Sequence, residues 1–300
     1  MPLLARYEHP EHRPEYSTLV VRGTPWTTDL PPELAHLDLD LLDEDAFAGW
    51  PQGDLGGAGN GWVLATTTNL NHVVLEAHDA APPPSDERWG DVMESPLRSG
   101  GLGVNLTQVI ESEPMRGVRL GPAGLYRVRM SRRRLDDRWH WLLQFWPAGG
   151  VLEPPRGLFR EPRSAQDDDL ESDLAMDLVA IALWSPGQAS KADLAERLLV
   201  STQAIDAALE YALRYDLLHV DDRAASTVSI TPVDKRPPEE RDPFAAARER
   251  RAALEAWAKA NGKRINVRAN PHPRSGNDSA AAISMTVPLP KTPRPERPGD

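Results

Sequence analysis

The chain contains no cysteine. That excludes a disulfide framework, thiolate metal sites and a cysteine nucleophile. Long apolar stretches are missing too, and no run reaches the roughly 18 residues a membrane-spanning helix needs. Met1–Tyr16 carries charge and proline without an apolar core, so no signal peptide is expected. Lysine is scarce: of 34 basic residues, only Lys191, Lys235, Lys259, Lys263 and Lys291 are not arginine. That bias points to a GC-rich bacterial genome. Several enzyme signatures are also absent, among them GxxxxGK[ST], GxSxG and HExxH. The glycines at 56, 57, 59 and 61 precede neither a lysine nor a helix and read as a flexible loop. These absences lead to the expectation of a cytoplasmic protein that is not an enzyme and uses no metal or cofactor.

What is present suggests more than one domain. The chain has 300 residues, 40% of them hydrophobic, with 29 prolines and 21 glycines. That is enough for a sizeable core in part of the chain, with much of the rest in loops, linker and tail. Net charge is −11, unevenly placed. It is negative over 1–171 and 172–234 and positive over 235–300. A polyanion would be drawn to the C-terminal third.

The first half reads as β structure. Leu125–Met130 and Arg138–Trp146 alternate with period two, joined by a polar connection at Ser131–Asp137. Shorter apolar runs at Thr18–Val21, Trp62–Ala65 and Val73–Leu75 are separated by turn residues. Many short strands so punctuated predict an antiparallel β-sandwich over 1–147. Residues 148–166 read as a Pro/Gly linker. Leu170, Leu174, Leu178, Ile181 and Trp184 then form one apolar helical stripe, with Asp167–Asp169 at its N-terminus.

The stretch Ser190–Leu218 carries the clearest motif. Ser190 is an N-cap with Asp193 three residues on, and Ser201 is a second N-cap. Leu194, Ala195 and Leu198 form one buried face, and Ile205, Leu209, Ala212, Leu213 and Leu217 another. His219–Val220 and Thr227–Ile230 read as a two-stranded wing. LAERLLVSTQAIDAAL is similar to the LAxxLxVSxxTVxxxL pattern of the winged helix-turn-helix superfamily of bacterial regulators. The resemblance implies a module over 167–233 whose second helix would present Thr202, Gln203 and Asp206 to base edges, with Ser201 a further candidate DNA contact. Arg214 is the only cation on that helix, against Asp206, Glu210 and Asp216, so the module supplies little phosphate neutralisation.

A basic segment over 234–268 could compensate. Arg248, Arg251, Lys259, Lys263, Arg264 and Arg268 lie in or after an amphipathic helix at Phe244–Asn261. Ala256–Arg268 resembles the DNA-binding end of bacterial nucleoid-associated DNA-bridging proteins. Arg268-Ala269-Asn270 stands where that family has an Arg-Gly-Arg hook. The plainer alternative is a solvated helix with a basic tail. Residues 269–300 are expected to be disordered.

Other candidates are weaker. His72, Glu76 and His78 share one strand face, but His72 and His78 would be roughly 20 Å apart and cannot share a metal. His140 reads as an ordinary strand residue. The tryptophans at 26, 62, 89, 139, 141 and 146 read as core packing rather than an aromatic binding platform. Arg127, Arg129 and Arg132–Arg134 give a local positive patch that could dock a partner.

The expected fold class is therefore α+β multidomain. An N-terminal antiparallel β-sandwich is followed by an α-helical winged helix-turn-helix and a basic helix with a disordered tail. The leading functional expectation is a non-enzymatic DNA-associated regulator, with the β domain as sensor or partner-binding half. The alternative is a protein-protein interaction adaptor whose winged helix mediates dimerisation or docking. Expected partners are DNA and a protein or second copy, with no membrane.

Overall fold

Alternation along the strands decides which side chains each sheet face receives. The structure is a computed structural model that describes residues 2–26, 37, 42, 56–67, 70–83, 89–109, 116–150, 152–161 and 170–234. All of these fall in one compact unit, Met1–Arg236.

A six-stranded sheet has the order β1-β5-β10-β9-β6-β11. Its strands are β1 (Leu3–His12), β5 (Asn71–His78), β6 (Asp91–Ser99), β9 (Gly124–Leu135), β10 (Arg138–Pro147) and β11 (Arg156–Arg160). β9 and β10 pair antiparallel from Arg138↔Leu135 to Pro147↔Tyr126. A five-stranded sheet has the order β3-β4-β2-β7-β8. It comprises β2 (Thr18–Gly23), β3 (Gly57–Ala58), β4 (Trp62–Thr66), β7 (Val104–Thr107) and β8 (Gly117–Val118). Leu19, Val21, Val63 and Leu106 from this sheet share one core with Val73, Leu75, Val128, Trp141, Leu143 and Phe145 from the larger one.

The remaining elements are α1 (Leu170–Trp184), β12 (Gly187–Ser190), α2 (Lys191–Leu198), α3 (Thr202–Arg214), β13 (Leu218–Asp221) and β14 (Thr227–Pro232). The three strands form a separate antiparallel sheet, β12-β14-β13. Ser190 caps α2 by accepting from the Asp193 amide at 2.9 Å, and Ser201 caps α3 by accepting from the Ala204 amide at 3.1 Å.

This architecture corrects the expected fold class. The protein is mostly β and mixed, not an antiparallel β-sandwich followed by an α-helical winged helix-turn-helix. First, β5 and β10 pair parallel, Trp139↔Asn71 through Phe145↔Ala77, in the middle of the large sheet. Second, no separate helical module stands behind a linker. α1 is buried from Asp173 to Trp184 on every side, not along one stripe. An amphipathic outer helix buries one face; a helix buried all round lies inside a core. That core joins α1, α2 and α3 to Val20, Trp62 and Leu64 of the five-stranded sheet. The Trp184 indole NH donates to the Ala58 carbonyl at 2.8 Å, tying α1 to β3. Third, the Pro/Gly segment after β10 contains β11, which extends the large sheet by pairing with β6. Arg160 on β11 in turn pairs with the fully buried Asp177 of α1, which explains an acid inside an apolar helix. The basic helix and the tail lie outside the described residues.

The glycine-rich stretch is also not a loose loop. Gly56 to Asn60 is buried and includes β3. A Cβ on Gly59 would sit 2.4 Å from the Trp62 ring and 2.5 Å from the Leu42 carbonyl. Only glycine lets the backbone pass that close to the indole.

Candidate functional site

The face read from the helix-turn-helix motif is built first by α3. Ile205, Ala208, Leu209 and Ala212 are buried, so the helical period turns Gln203, Asp206, Glu210 and Arg214 outward as a ridge. Leu213 flanks this ridge on one side. On the other, Tyr211 stacks on Tyr215 with ring centroids 4.4 Å apart. Thr202, Gln203, Leu213, Arg214 and Tyr215 are all exposed. Ser201, Thr202 and Gln203 come together at the start of the helix. Arg214 does not join them: twelve residues on, it lies roughly 18 Å away along the axis. It pairs instead with Glu210 at 3.3 Å, as Arg223 does at 3.8 Å. Lys191 reaches Asp206 at 2.5 Å and the Arg223 carbonyl. Among the described residues, Lys191, Arg214 and Arg223 on or beside the ridge are thus each held by a ridge carboxylate. Arg248, Arg251, Lys259, Lys263, Arg264 and Arg268 lie outside the described residues.

A second concentration of polar groups crosses the outer face of the six-stranded sheet. Register places Arg6, Glu76, Gln144, Arg129, Glu94 and Arg156 opposite one another on six successive strands. Arg6 donates to Glu76 at 2.6 Å, and the Gln144 amide donates to the other Glu76 oxygen at 2.9 Å. Glu94 accepts from Arg129 at 3.1 and 2.9 Å and from Arg156 at 3.3 and 3.0 Å. Arg127 approaches Glu94 at 3.6 Å and donates to the Glu153 carbonyl. Glu94, Arg127 and Arg129 are all buried. Burial holds the Arg127 guanidinium below its ordinary pKa, and Glu94 and Glu153 oppose that fall. The arginines read from sequence as a solvent-facing docking patch are therefore mostly internal. Arg132 is buried as well, paired with Asp91 at 2.9 Å. A single sequence carries no signal for this, because the matching acids lie on β6, some 35 residues or more away.

Among the described residues, no group of three or more His, Cys, Asp or Glu side chains could hold an ion. His78 bonds Glu76 at 3.1 Å. His72 instead joins Glu8 at 2.8 Å and His140 at 3.2 Å, through opposite ring nitrogens. That uses up both nitrogens in a hydrogen-bonded chain.

Of the six tryptophans expected to pack the core, Trp62, Trp141 and Trp146 are buried, while Trp26, Trp89 and Trp139 are only half-buried. Trp62 and Trp141 are buried in the cores. Trp146, on the opposite face, is covered by Arg129 at 5.3 Å from its ring centre, and Trp139 by Arg132 at 4.8 Å. A ring face capped in this way is not an open stacking platform.

The sequence reading missed a cleft of about 730 Å³ on the five-stranded sheet, lined in part by Arg22, Arg116 and Arg119. The only local signal for it is the pairing of arginine with glycine in Arg22-Gly23 and Arg116-Gly117.

No protein-family model matches this chain, and no curated protein does. Two solved structures show a likeness. One is ComJ of Bacillus subtilis, an inhibitor of the DNA-degrading activity of NucA, at 12% identity and a TM-score of 0.30, covering 49% of this chain and 98% of ComJ. The other is the product of crocagin biosynthetic gene J, at 14% identity and a TM-score of 0.31, covering 48% of this chain and 99% of that one. Scores this low carry neither fold nor function across. No helix among the described residues is long and apolar enough to cross a membrane.

Proposed function

We propose that this protein is a non-enzymatic protein-interaction adaptor that docks a partner protein or a second copy through the α3 ridge. The observation carrying this reading is the charge arrangement on that ridge. Lys191, Arg214 and Arg223 are all engaged by Asp206 or Glu210. DNA affinity comes largely from cations that neutralise phosphate, and a groove-facing helix with this arrangement would set carboxylates against the backbone. Protein surfaces tolerate such a ridge. Exposed Leu213 and Tyr215 beside it supply the apolar and aromatic contact that protein interfaces favour.

The test separates the two macromolecules. A photo-cross-linking residue at position 213 of the full chain is expected to capture one discrete protein or a second copy in cells. Tyr215→Glu should abolish that product. The same protein should bind duplex DNA no better at low salt than a Gln203→Ala variant. Salt-sensitive DNA binding that Gln203→Ala weakens would reverse the assignment and restore the DNA-regulator reading.

A further inference from the structure

The cleft on the five-stranded sheet has no role in the adaptor reading and stands independently of it. Its wall forms where β2, β7 and β8 pair: Arg22 lies opposite Asn105, and Asn105 opposite Gly117. Arg116 and Arg119 flank β8 on either side and are exposed. Neither joins an ion pair with a described residue, and no described lining residue is acidic. In a chain of net charge −11, an opening whose described lining bears three arginines and no acid reverses the sign locally among the described residues. Low-dielectric walls focus such a field and raise the local concentration of anions.

Further features narrow the ligand. Leu102, at the lip, is 77% exposed. Thr24 and Asn105 add neutral hydrogen-bonding groups. No aromatic residue is among the described residues that line the cleft, so none of these offers a nucleobase a stacking face. An arginine-rich wall beside an exposed leucine fits carboxylates next to an apolar side chain.

We propose that this cleft binds an extended acidic peptide segment of a partner protein. The guanidiniums of Arg116 and Arg119 would take its carboxylates, beside Arg22, which already donates to the Gln108 carbonyl, and Leu102 would pack against an adjoining apolar residue.

Fluorescence anisotropy with the full-length protein tests this. The probe is a fluorescein-labelled peptide alternating glutamate and leucine. Comparison ligands are the same peptide with glutamine for glutamate, a single-stranded oligonucleotide, and inorganic phosphate. Arg116→Glu with Arg119→Glu is the variant, since both side chains are exposed and outside the core. A second variant, Leu102→Ala, probes the apolar contact without changing charge. The expected result is salt-sensitive binding of the glutamate peptide, weakened about tenfold or more by the charge reversal. Leu102→Ala should weaken it by a few fold and leave the salt dependence intact. Unchanged binding in the charge-reversed variant, with an unaltered circular dichroism spectrum, overturns the proposal. So does equal binding of the glutamine peptide. Tighter, arginine-dependent binding of the oligonucleotide reassigns the cleft to nucleic acid. Displacement of the peptide by phosphate alone, at comparable concentration, reassigns it to a small anion.

Discussion

Replacing Glu94 by glutamine removes one charge and almost no volume, and it isolates the polar ladder on the outer sheet face. Glu94 is 3% exposed and accepts from Arg129 and Arg156, with Arg127 3.6 Å away. The variant leaves Arg127 and Arg129 buried without their anion. Removing one partner of a buried ion pair costs about 3–5 kcal/mol, because the surviving charge stays desolvated. Arg129 keeps its bonds to the Pro82 and Pro83 carbonyls at 3.1 and 3.2 Å and its place over Trp146, which favours the lower end. For a unit of this size, such a loss lowers Tm by roughly 6–20 °C. Urea unfolding followed by tryptophan fluorescence gives the free energy directly. Arg6→Ala is the control. Its side chain is 47% exposed although it also pairs with a buried acid, so it should cost about 1 kcal/mol or less. Replacing both partners, Glu94→Leu with Arg129→Met, should be milder than Glu94→Gln alone, since one buried guanidinium fewer is stranded and Arg127, the one that remains, keeps Glu153 3.8 Å away. If Glu94→Gln unfolds within the Arg6→Ala range, these guanidiniums are effectively hydrated, and the reasoning from burial fails.

Three further outcomes follow from single residues. His12 is fully buried, with neither ring nitrogen hydrogen-bonded, and burial, aided by His9, pushes its pKa down to about 4. The unfolded chain protonates near the ordinary value of about 6.5, so stability is full above that pH and falls by up to ~3 kcal/mol as pH drops towards 4. His12→Leu should flatten this slope in urea titrations, and an unchanged slope would locate the acid sensitivity elsewhere. Ser201→Ala removes the bond to the Ala204 amide and should cost about 1 kcal/mol in thermal unfolding, with Ser201→Gly nearer to neutral. Trp184→Ala vacates a core side chain and the bond to Ala58, costing about 3–5 kcal/mol. Because α1 shares its core with the five-stranded sheet, helical and β signals should melt together in that variant; separate transitions would show that the two halves fold independently.

Much of the local structure was legible. Strands β9 and β10 show in the alternation of Leu125–Met130 and Arg138–Trp146, and the caps at Ser190 and Ser201 show in residue type and spacing. The candidate site was far less so. The sequence identifies Arg214 as the only cation on its helix, but its capture by Glu210, together with Arg223's approach to the same acid, is a matter of side-chain geometry. Arg127 and Arg129 look solvent-facing by alternation, because period two separates faces but does not say which face is covered. Arg116 and Arg119 escaped notice because nothing in their neighbourhood hints that β8 edges a cleft with Arg22 on its wall.

The sequence by itself determined the periods, the caps, the absence of thiol chemistry and the uneven charge, since each of these rests on residues within a few positions of one another or on simple counting. Tertiary structure decided the parallel pairing of β5 with β10, the burial of α1 on all sides, the Glu94 ladder and the sign of the cleft. Each of these depends on which distant segment lies opposite. Many registers satisfy the same local alternation, and the one adopted is chosen by the shared core and by the match of buried charges.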